Sequence, residues 1–241
     1  MNILLNFFPV QSGGGQQVAS NFLNIIARNN LGHNWFVYVG EGSELHNLAK
    51  IVFPVGHILS NPYSYWARIT NGKVIDDFIE LHSIDLVYNY APVLNTRAKI
   101  PQVVRSVYSN LYFPEIDFWK SYSFLDRQKK KIIDIFRLKG TLAANGLVFE
   151  NRSMQERAVS IFKFLAEDTI YIKPSVTLFD ESSSSSDYDW LLKDSSFKIL
   201  YLSSWHLNKN IHILPQAAYL LKERKVYVRF ILTLDKKDIS L

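Results

Sequence analysis

The first forty residues constrain this chain more than any other stretch. Asn2–Phe8 is a short, mostly apolar run, and Pro9-Val10-Gln11-Ser12-Gly13-Gly14-Gly15 follows it as a loop. Val18, Phe22, Leu23, Ile25 and Ile26 then recur at helical spacing, Asn30 and Gly32 supply a stop, and Trp35–Val39 is a second apolar run. A continuous apolar run bounded by turn residues suits a strand covered on both faces, and glycine after a periodic stretch suits a helix end. Strand, turn, helix, strand is a βαβ unit, whose two strands lie parallel.

The alternation continues. The pattern predicts a short helix at Leu45–Lys50, a strand at Ile51–Val55, and a helix over Tyr63–Leu81 with Asn71-Gly72 as a break point. Asp85–Tyr90 and Gln102–Val107 read as strands, and Phe118–Ala143 as a long helical region. Gly146–Glu150 and Thr169–Ile172 read as late strands around a helix at Ser153–Leu165, with Pro174 ending the last one. Such alternation predicts an α/β fold, a Rossmann-like parallel sheet. Composition then shifts: Glu181-Ser182-Ser183-Ser184-Ser185-Ser186-Asp187 cannot bury apolar surface and reads as a linker. Beyond it, Phe197–Leu202, Ile211–Lys225 and Val226–Leu232 read as a second βαβ start, the helix turning Ile213, Leu214, Ala217, Leu220 and Leu221 inward. The expected organisation is an N-terminal domain over 1–176, a linker over 177–196, and 197–241 as the incomplete start of a second Rossmann-like domain. An ordinary α/β domain needs roughly 100 residues or more.

Several chemistries drop out. The chain has no cysteine, hence no disulfide, thiolate zinc site or cysteine nucleophile, and a reducing compartment fits. The N-terminus lacks a basic n-region and a cleavage site, and no apolar run approaches the roughly 20 residues that span a bilayer. A cytoplasmic protein, or one at the inner membrane face, is expected. The six histidines show no metal-ligand spacing, so no metal is expected, and Ser12 lacks the flanks of a nucleophile elbow.

Formal net charge is +5, and one segment accounts for all of it. Lys120, Arg127, Lys129, Lys130, Lys131, Arg137 and Lys139 face only Asp126 and Asp134 there, interleaved with Trp119, Tyr122, Phe124, Leu125, Ile132, Ile133, Ile135, Phe136 and Leu138. A basic amphipathic helix suits an anionic membrane surface, and a solvated helix face is the alternative. No recognised motif supports nucleic acid as a partner.

The turn at Gly13–Gly15 has two readings. Glycines at a helix start let backbone N–H groups approach an anion under positive potential; equally, they make a tight turn. A dinucleotide fingerprint is disfavoured. Gly13-x-Gly15-x-x-Val18 has valine where glycine or alanine belongs, and although Glu41 could mimic the ribose-binding acid, Pro9–Ser12 lengthens the turn. A nucleotide-dependent oxidoreductase would also need a substrate domain.

Three segments in order resemble the GT-B glycosyltransferases of family 4, retaining enzymes that build bacterial polysaccharides and glycolipids. They are Ser12-Gly13-Gly14-Gly15 between strand and helix, Leu147–Arg157 with its Met154-Gln155-Glu156-Arg157, and Ile199–Asn210, where a strand is followed by Lys209-Asn210. The resemblance implies a partial GT-B fold, cut short in its second lobe. It implies transfer of a sugar from a nucleotide-sugar co-substrate, without cofactor or metal, to a polysaccharide or lipid-linked acceptor. It assigns Gly13, Gly14, Gly15 and Lys209 to the donor phosphates. Arg105, Tyr108 and Asn110 become acceptor-side residues, and Lys120, Arg127, Lys129, Lys130 and Lys131 a membrane-facing patch. Three departures stand out: Ser203-Ser204 replaces a Gly-Arg pair common in relatives, Tyr108 occupies a position where many carry histidine, and the family's paired glutamates have no counterpart. A non-catalytic product of a split gene, pairing with a separately encoded C-terminal half, is the alternative.

Overall fold

The first two strands of the chain become the third and second strands, counted from one edge, of a seven-stranded, all-parallel sheet. In chain order they are β1 (Asn2–Asn6), β2 (Asn34–Gly40), β3 (Ile58–Asn61), β4 (Leu86–Asn89), β5 (Gln102–Ser106), β6 (Gly146–Phe149) and β7 (Thr169–Tyr171). Across the sheet the order is β3-β2-β1-β4-β5-β6-β7. The computed structural model describes residues 1–29, 31–64, 67, 71–92, 96–162, 164–173, 193, 195–203 and 209–234. It divides into two units, Met1–Leu178 and Phe179–Leu241.

Strand alternation sorts side chains to two faces. Ile3, Leu5, Val37 and Val39 point to one, where Ala19, Leu23 and Ile26 of α1 (Gly13–Arg28) and Leu45 and Ala49 of α2 (Glu44–Val52) cover them. Leu4, Phe36, Tyr38 and Val87 point to the other, under Ile75, Phe78 and Ile79 of α3 (Gly72–Leu81). Val104, Leu147 and Phe149 pack there against Met154 and Ala158 of α5 (Arg152–Phe162). Between β5 and β6 runs α4 (Phe124–Leu142), whose N-cap Ser123 accepts from the Asp126 N–H.

A ladder of buried amides ties the central strands together. Asn6 Nδ2 donates to Asn89 Oδ1 at 2.8 Å, and Asn89 Nδ2 donates to Gln102 Oε1 at 2.9 Å. Asn6 Oδ1 also accepts from the Phe8 N–H at 3.3 Å, which bends the chain as it leaves β1. Buried amides left unpaired would each cost about 1–3 kcal/mol, so the ladder fixes the pairing of β1 with β4 and of β4 with β5.

Four expectations for the first unit need correction. The helix expected over Tyr63–Leu81 does not include Tyr63 or Ser64, which are coil, and α3 starts at Gly72. Ile51–Val55 is not a strand. Ser43 caps α2, which runs through Ile51 and Val52, and Ile51 and Val55 are 83% and 88% exposed. The strand comes after them, at Ile58–Asn61, because a run of apolar residues alone does not distinguish strand from helix end. The long helical region begins at Phe124 rather than Phe118, where Ser123 can cap it. On α1, Ile25 points outward at 43% exposed, and the buried seam is Ala19, Leu23 and Ile26.

The second unit is a parallel pair, β8 (Phe197–Tyr201) and β9 (Val228–Leu232), joined through α6 (Leu214–Glu223). Its helix face differs from expectation, since Ile213 and Leu220 are each 51% exposed and no residue of α6 is fully buried. Ser182–Ser186 of the polar tract lie outside the described residues. Among the described residues no helix is long and apolar enough to cross a membrane.

Candidate functional site

The sheet order creates a site at one place. The connection after β1 leads toward β2 on one side, and the connection after β4 leads toward β5 on the other. Between the carboxyl ends of two such strands the loops diverge and leave a crevice, the usual ligand position in open α/β sheets. A cleft of about 300 Å³ lies there. The turn from Pro9 to Ser12, together with Gly15, forms one wall. Tyr90 and Ala91 after β4, Tyr108 after β5 and Tyr63 after β3 form the rest.

Each wall is held from below. Phe8 stacks on Tyr38 with ring centroids 4.5 Å apart and tilts against Tyr63 at 5.4 Å. Asn71 Nδ2 donates to the Tyr38 phenol at 3.0 Å, and burial pushes that phenol's pKa up. Gln11 Nε2 donates to the Phe8 carbonyl at 2.9 Å and occupies the space a side chain at Gly40 would need. Ser12 precedes α1 in an extended conformation and makes no side-chain cap, and α1 has no acidic residue in its first turn. The positive end of the helix therefore reaches the crevice with no carboxylate in its own first turn.

The three glycines have different reasons for being glycine. Gly13 sits at φ +72°, a left-handed conformation that strains any residue with a Cβ. At Gly15 a Cβ would meet the Tyr90 phenol oxygen at 3.1 Å. At Gly14 φ is ordinary and a Cβ would meet nothing within 4 Å. Turn geometry and packing thus account for two of them, and open space lies over the third.

Of the acceptor-side residues, only Tyr108 lines the cleft, with the Arg137 guanidinium 4.0 Å over its ring. Arg105 is buried at 6% exposure, ion-paired with Glu150, and stacked over the Tyr90 ring at 4.1 Å. Asn110 lies in the single turn Ser109–Leu111, half-buried. Lys209 belongs to the second unit, where its carbonyl accepts from the Tyr201 phenol and the residue is exposed. Ser204 and His206 lie outside the described residues. Tyr63 and Tyr90 were not singled out from the sequence. The available signal was an aromatic just past the carboxyl end of a strand.

The basic segment separates into two kinds of cation. Arg127 pairs with Asp117, Arg137 with Asp134 at 3.1 Å, and Lys130 lies 5.3 Å over Trp119. Trp119 Nε1 donates to Asp134 at 2.7 Å, so these contacts fasten the 117–122 segment onto α4. Lys129, Lys131 and Lys139 are exposed, as is Lys120 ahead of the helix. Beside the helical lysines lie Phe124, Leu125, Ile132, Ile135 and Phe136, all between 54% and 74% exposed. Among the described residues no cluster of three or more His, Asp or Glu could hold a metal ion.

No family profile matches the chain, and no curated protein matches its sequence. Solved structures share its fold. An S. aureus MnaA–UDP co-structure superposes with TM-score 0.61 at 14% identity, covering 98% of this chain and 63% of that one. A UDP-N-acetylglucosamine 2-epimerase from Rickettsia bellii gives 0.56 at 12% identity, covering 100% and 63%. The lipopolysaccharide outer core galactosyltransferase WaaB gives 0.55 at 11% identity, covering 100% and 70%. The architecture is GT-B-like, and the chain spans 63% of the length of the first two structures.

Proposed function

We propose that this chain acts on nucleotide sugars as a glycosyltransferase, or as the acceptor-side half of one. The observation that carries the reading is the crevice at the switch point, into which the uncapped start of α1 and the ring of Tyr63, Tyr90 and Tyr108 converge. The fold shared with a UDP co-structure and with a galactosyltransferase supports it.

In this reading an acceptor hydroxyl attacks the anomeric carbon of the donor, the carbon–oxygen bond to the diphosphate breaks, the hydroxyl proton passes to the departing phosphate oxygen, and the nucleoside diphosphate leaves. Negative charge grows on the departing phosphate. Backbone N–H groups at Gly13–Gly15 and the Lys209 ammonium are the groups assigned to stabilise it, by the family resemblance. The tyrosines offer flat apolar rings with a polar tip, a chemistry suited to a sugar's alternating C–H and hydroxyl surface. Tyr108 and Asn110 are assigned to the acceptor, which is a polysaccharide or lipid-linked sugar. The exposed lysines and apolar stripe of α4 are assigned to an anionic membrane that carries such an acceptor.

The test is incubation of purified protein with radiolabelled UDP-sugars and a lipid-linked acceptor, beside calorimetry with UDP alone. Label transferred above the level of a Lys209→Ala control supports the transferase. UDP binding without turnover assigns the chain the role of a binding half that needs a separately encoded partner. Absence of UDP binding overturns the nucleotide-sugar reading.

A further inference from the structure

We propose that His46 is a proton-operated latch on the turn between β2 and α2: its neutral ring holds the Gly42 N–H, and a ring that gains a proton releases the turn beside the crevice. The inference goes beyond the reading of the crevice as a nucleotide-sugar site and holds for whatever ligand the crevice takes.

The latch follows from how β2 ends. Gly40 closes the strand, Gly42 turns the chain at φ +71°, and Ser43 caps α2 by accepting from the His46 N–H at 3.1 Å. Within the turn the Glu41 N–H donates to the Asn61 carbonyl at 2.8 Å, and the Ser43 N–H donates to the Gly40 carbonyl at 3.2 Å. The Gly42 N–H between them donates to His46 Nδ1 at 3.0 Å. An N–H donates only to a nitrogen that carries a lone pair, so this contact fixes the tautomer. Nδ1 is bare, and the ring proton sits on Nε2. His46 is 7% exposed, so packing holds the ring in place. Gly40 ties the turn to the crevice. Gln11, which lines the cleft, fills the space over Gly40, its Nε2 2.8 Å from where a Cβ would stand.

Protonation reverses the contact. A proton on Nδ1 sets one N–H against another, and Gly42 loses its acceptor. Two further effects act in the same direction. His46 is the third residue of α2, where the positive end of the helix opposes a cation, and burial strips water from the charged ring. Lys50, one turn along α2, also opposes the charge, and Glu41 in the turn favours it; Glu44 of the first helical turn is exposed to water. The elements packed against α2 are α1, β2 and β3, and they carry a single charged residue between them, Arg28 in the last turn of α1. Burial, followed by Lys50, holds the His46 pKa below the ordinary 6.5. A histidine whose folded value is lowered contributes fully above the ordinary value and loses that contribution as pH falls through the lowered one. The latch is therefore closed at neutral pH and opens on acidification.

Nuclear magnetic resonance of the full chain tests the latch without any ligand, so its failure is separate from failure of the nucleotide-sugar reading. In protein labelled with 15N-histidine, the His46 ring signals are assigned by their loss in His46→Asn. At neutral pH Nδ1 should show the signature of a bare nitrogen and Nε2 that of a protonated one, with the ring titrating below 6.5. A proton on Nδ1 at neutral pH, or a titration at or above 6.5, overturns the latch. Protection of the Gly42 amide, corrected for intrinsic exchange at each pH, should fall about tenfold between neutral pH and about pH 5, the value of one hydrogen bond at the upper end of its range. The side-chain amide signals of Gln11 should move with the same midpoint, and signals that stay still overturn the link to the crevice. His46→Asn keeps an oxygen acceptor near the place of Nδ1 and cannot titrate, so Gly42 protection should hold across the range, whereas His46→Leu should lose it at every pH. A loss on acidification as large in His46→Asn as in the wild type assigns the effect to another group and overturns the latch. Amides of Leu4–Asn6 should stay protected throughout; if they open together with Gly42, the transition is global and the latch is refuted.

Discussion

At the residue scale the glycine turn is a set of internal controls. Gly14→Ala should stabilise the fold by about 0.5–1 kcal/mol, because a helical alanine replaces glycine in open space. Gly13→Ala should cost about 1–2 kcal/mol for its left-handed backbone. Gly15→Ala should also destabilise, since Tyr90 is wedged by Arg105 and Phe7 and cannot give way. Urea denaturation of the three variants checks the order, and a destabilised Gly14→Ala would refute the reading of that position. If a ligand needs close backbone approach, Gly14→Ala should weaken UDP binding while raising stability. Buried phenols add a second expectation. Burial pushes Tyr88 and Tyr112 up to about 12, against an ordinary value of 10.0. Ionisation is easier in the unfolded chain, so their contribution is complete below about pH 10 and is lost as pH climbs toward 12. At pH 11 the loss is about 1.4 kcal/mol for each phenol. Tyr112→Phe, which keeps the buried ring beside Ser106, should remove its share of the drop between pH 9 and pH 11. An equal drop in that variant assigns the alkaline loss elsewhere.

The element that least resembles an ordinary solvated helix is α4. Its inner side is fastened by Arg127–Asp117, Trp119–Asp134 and Arg137–Tyr108. Its outer side shows Leu125, Ile132, Ile135 and Phe136 beside Lys129, Lys131 and Lys139. Near an anionic surface each cation contributes about 1 kcal/mol, so replacing these three lysines with glutamine should weaken vesicle binding on the order of 100-fold. Co-sedimentation with vesicles containing anionic lipid should fall as salt rises, and Phe136→Ser should reduce it at any salt. Binding to neutral vesicles at equal strength would sink the electrostatic part of the assignment. The sequence held the charge of this helix but not its division into cations fastened to the 117–122 segment and Tyr108 and cations left exposed, of which Lys129 keeps only a loose pair with Asp126 at 3.9 Å. That division depends on where Asp117 and Trp119 fold back, ten and fifteen residues from their partners. The same contrast runs through the fold. The strands β1 and β2 were legible because burial on both faces demands continuous apolar runs. β3 was displaced because Ile51–Val55 is equally apolar yet leaves Ile51 and Val55 in solvent. In the crevice, Gly15 and Tyr108 carried local signals. Tyr63, Tyr90 and the burial of Arg105 against Glu150 depend on strand order, which no local pattern encodes.

At the scale of the whole molecule, the two units bury very different amounts of apolar surface for the backbone they order. In the first, helices lie on both faces of seven strands, and Leu4, Leu5, Val37, Val39, Val87 and Val104 are fully buried. In the second, two strands carry one short helix, and Ile211 is the one buried apolar residue among those described there. Phe197, Leu200 and Leu202 stand 69%, 62% and 79% exposed. A two-stranded sheet is marginal in water, because loop closure and ordering cost more than so little burial returns. Hydrogen exchange of the full chain at neutral pH should therefore be graded. Amides of β1, β2 and β4 should open only with global unfolding, whereas those of β8 and β9 should exchange orders of magnitude faster through local opening. Equal protection in peptides covering Leu4–Asn6 and Ile199–Tyr201 would show that burial within each unit does not set its stability. Ligand sharpens the same experiment. UDP at about a hundred times its Kd adds about 2.7 kcal/mol to whatever it holds folded, a further hundredfold slowing where exchange goes through global opening. The expected place is the Gln11–Gly15 turn and the Tyr90–Ala91 segment. Slowing confined to Phe197–Leu232 would remove the crevice from the binding site and leave the nucleotide to the second unit alone.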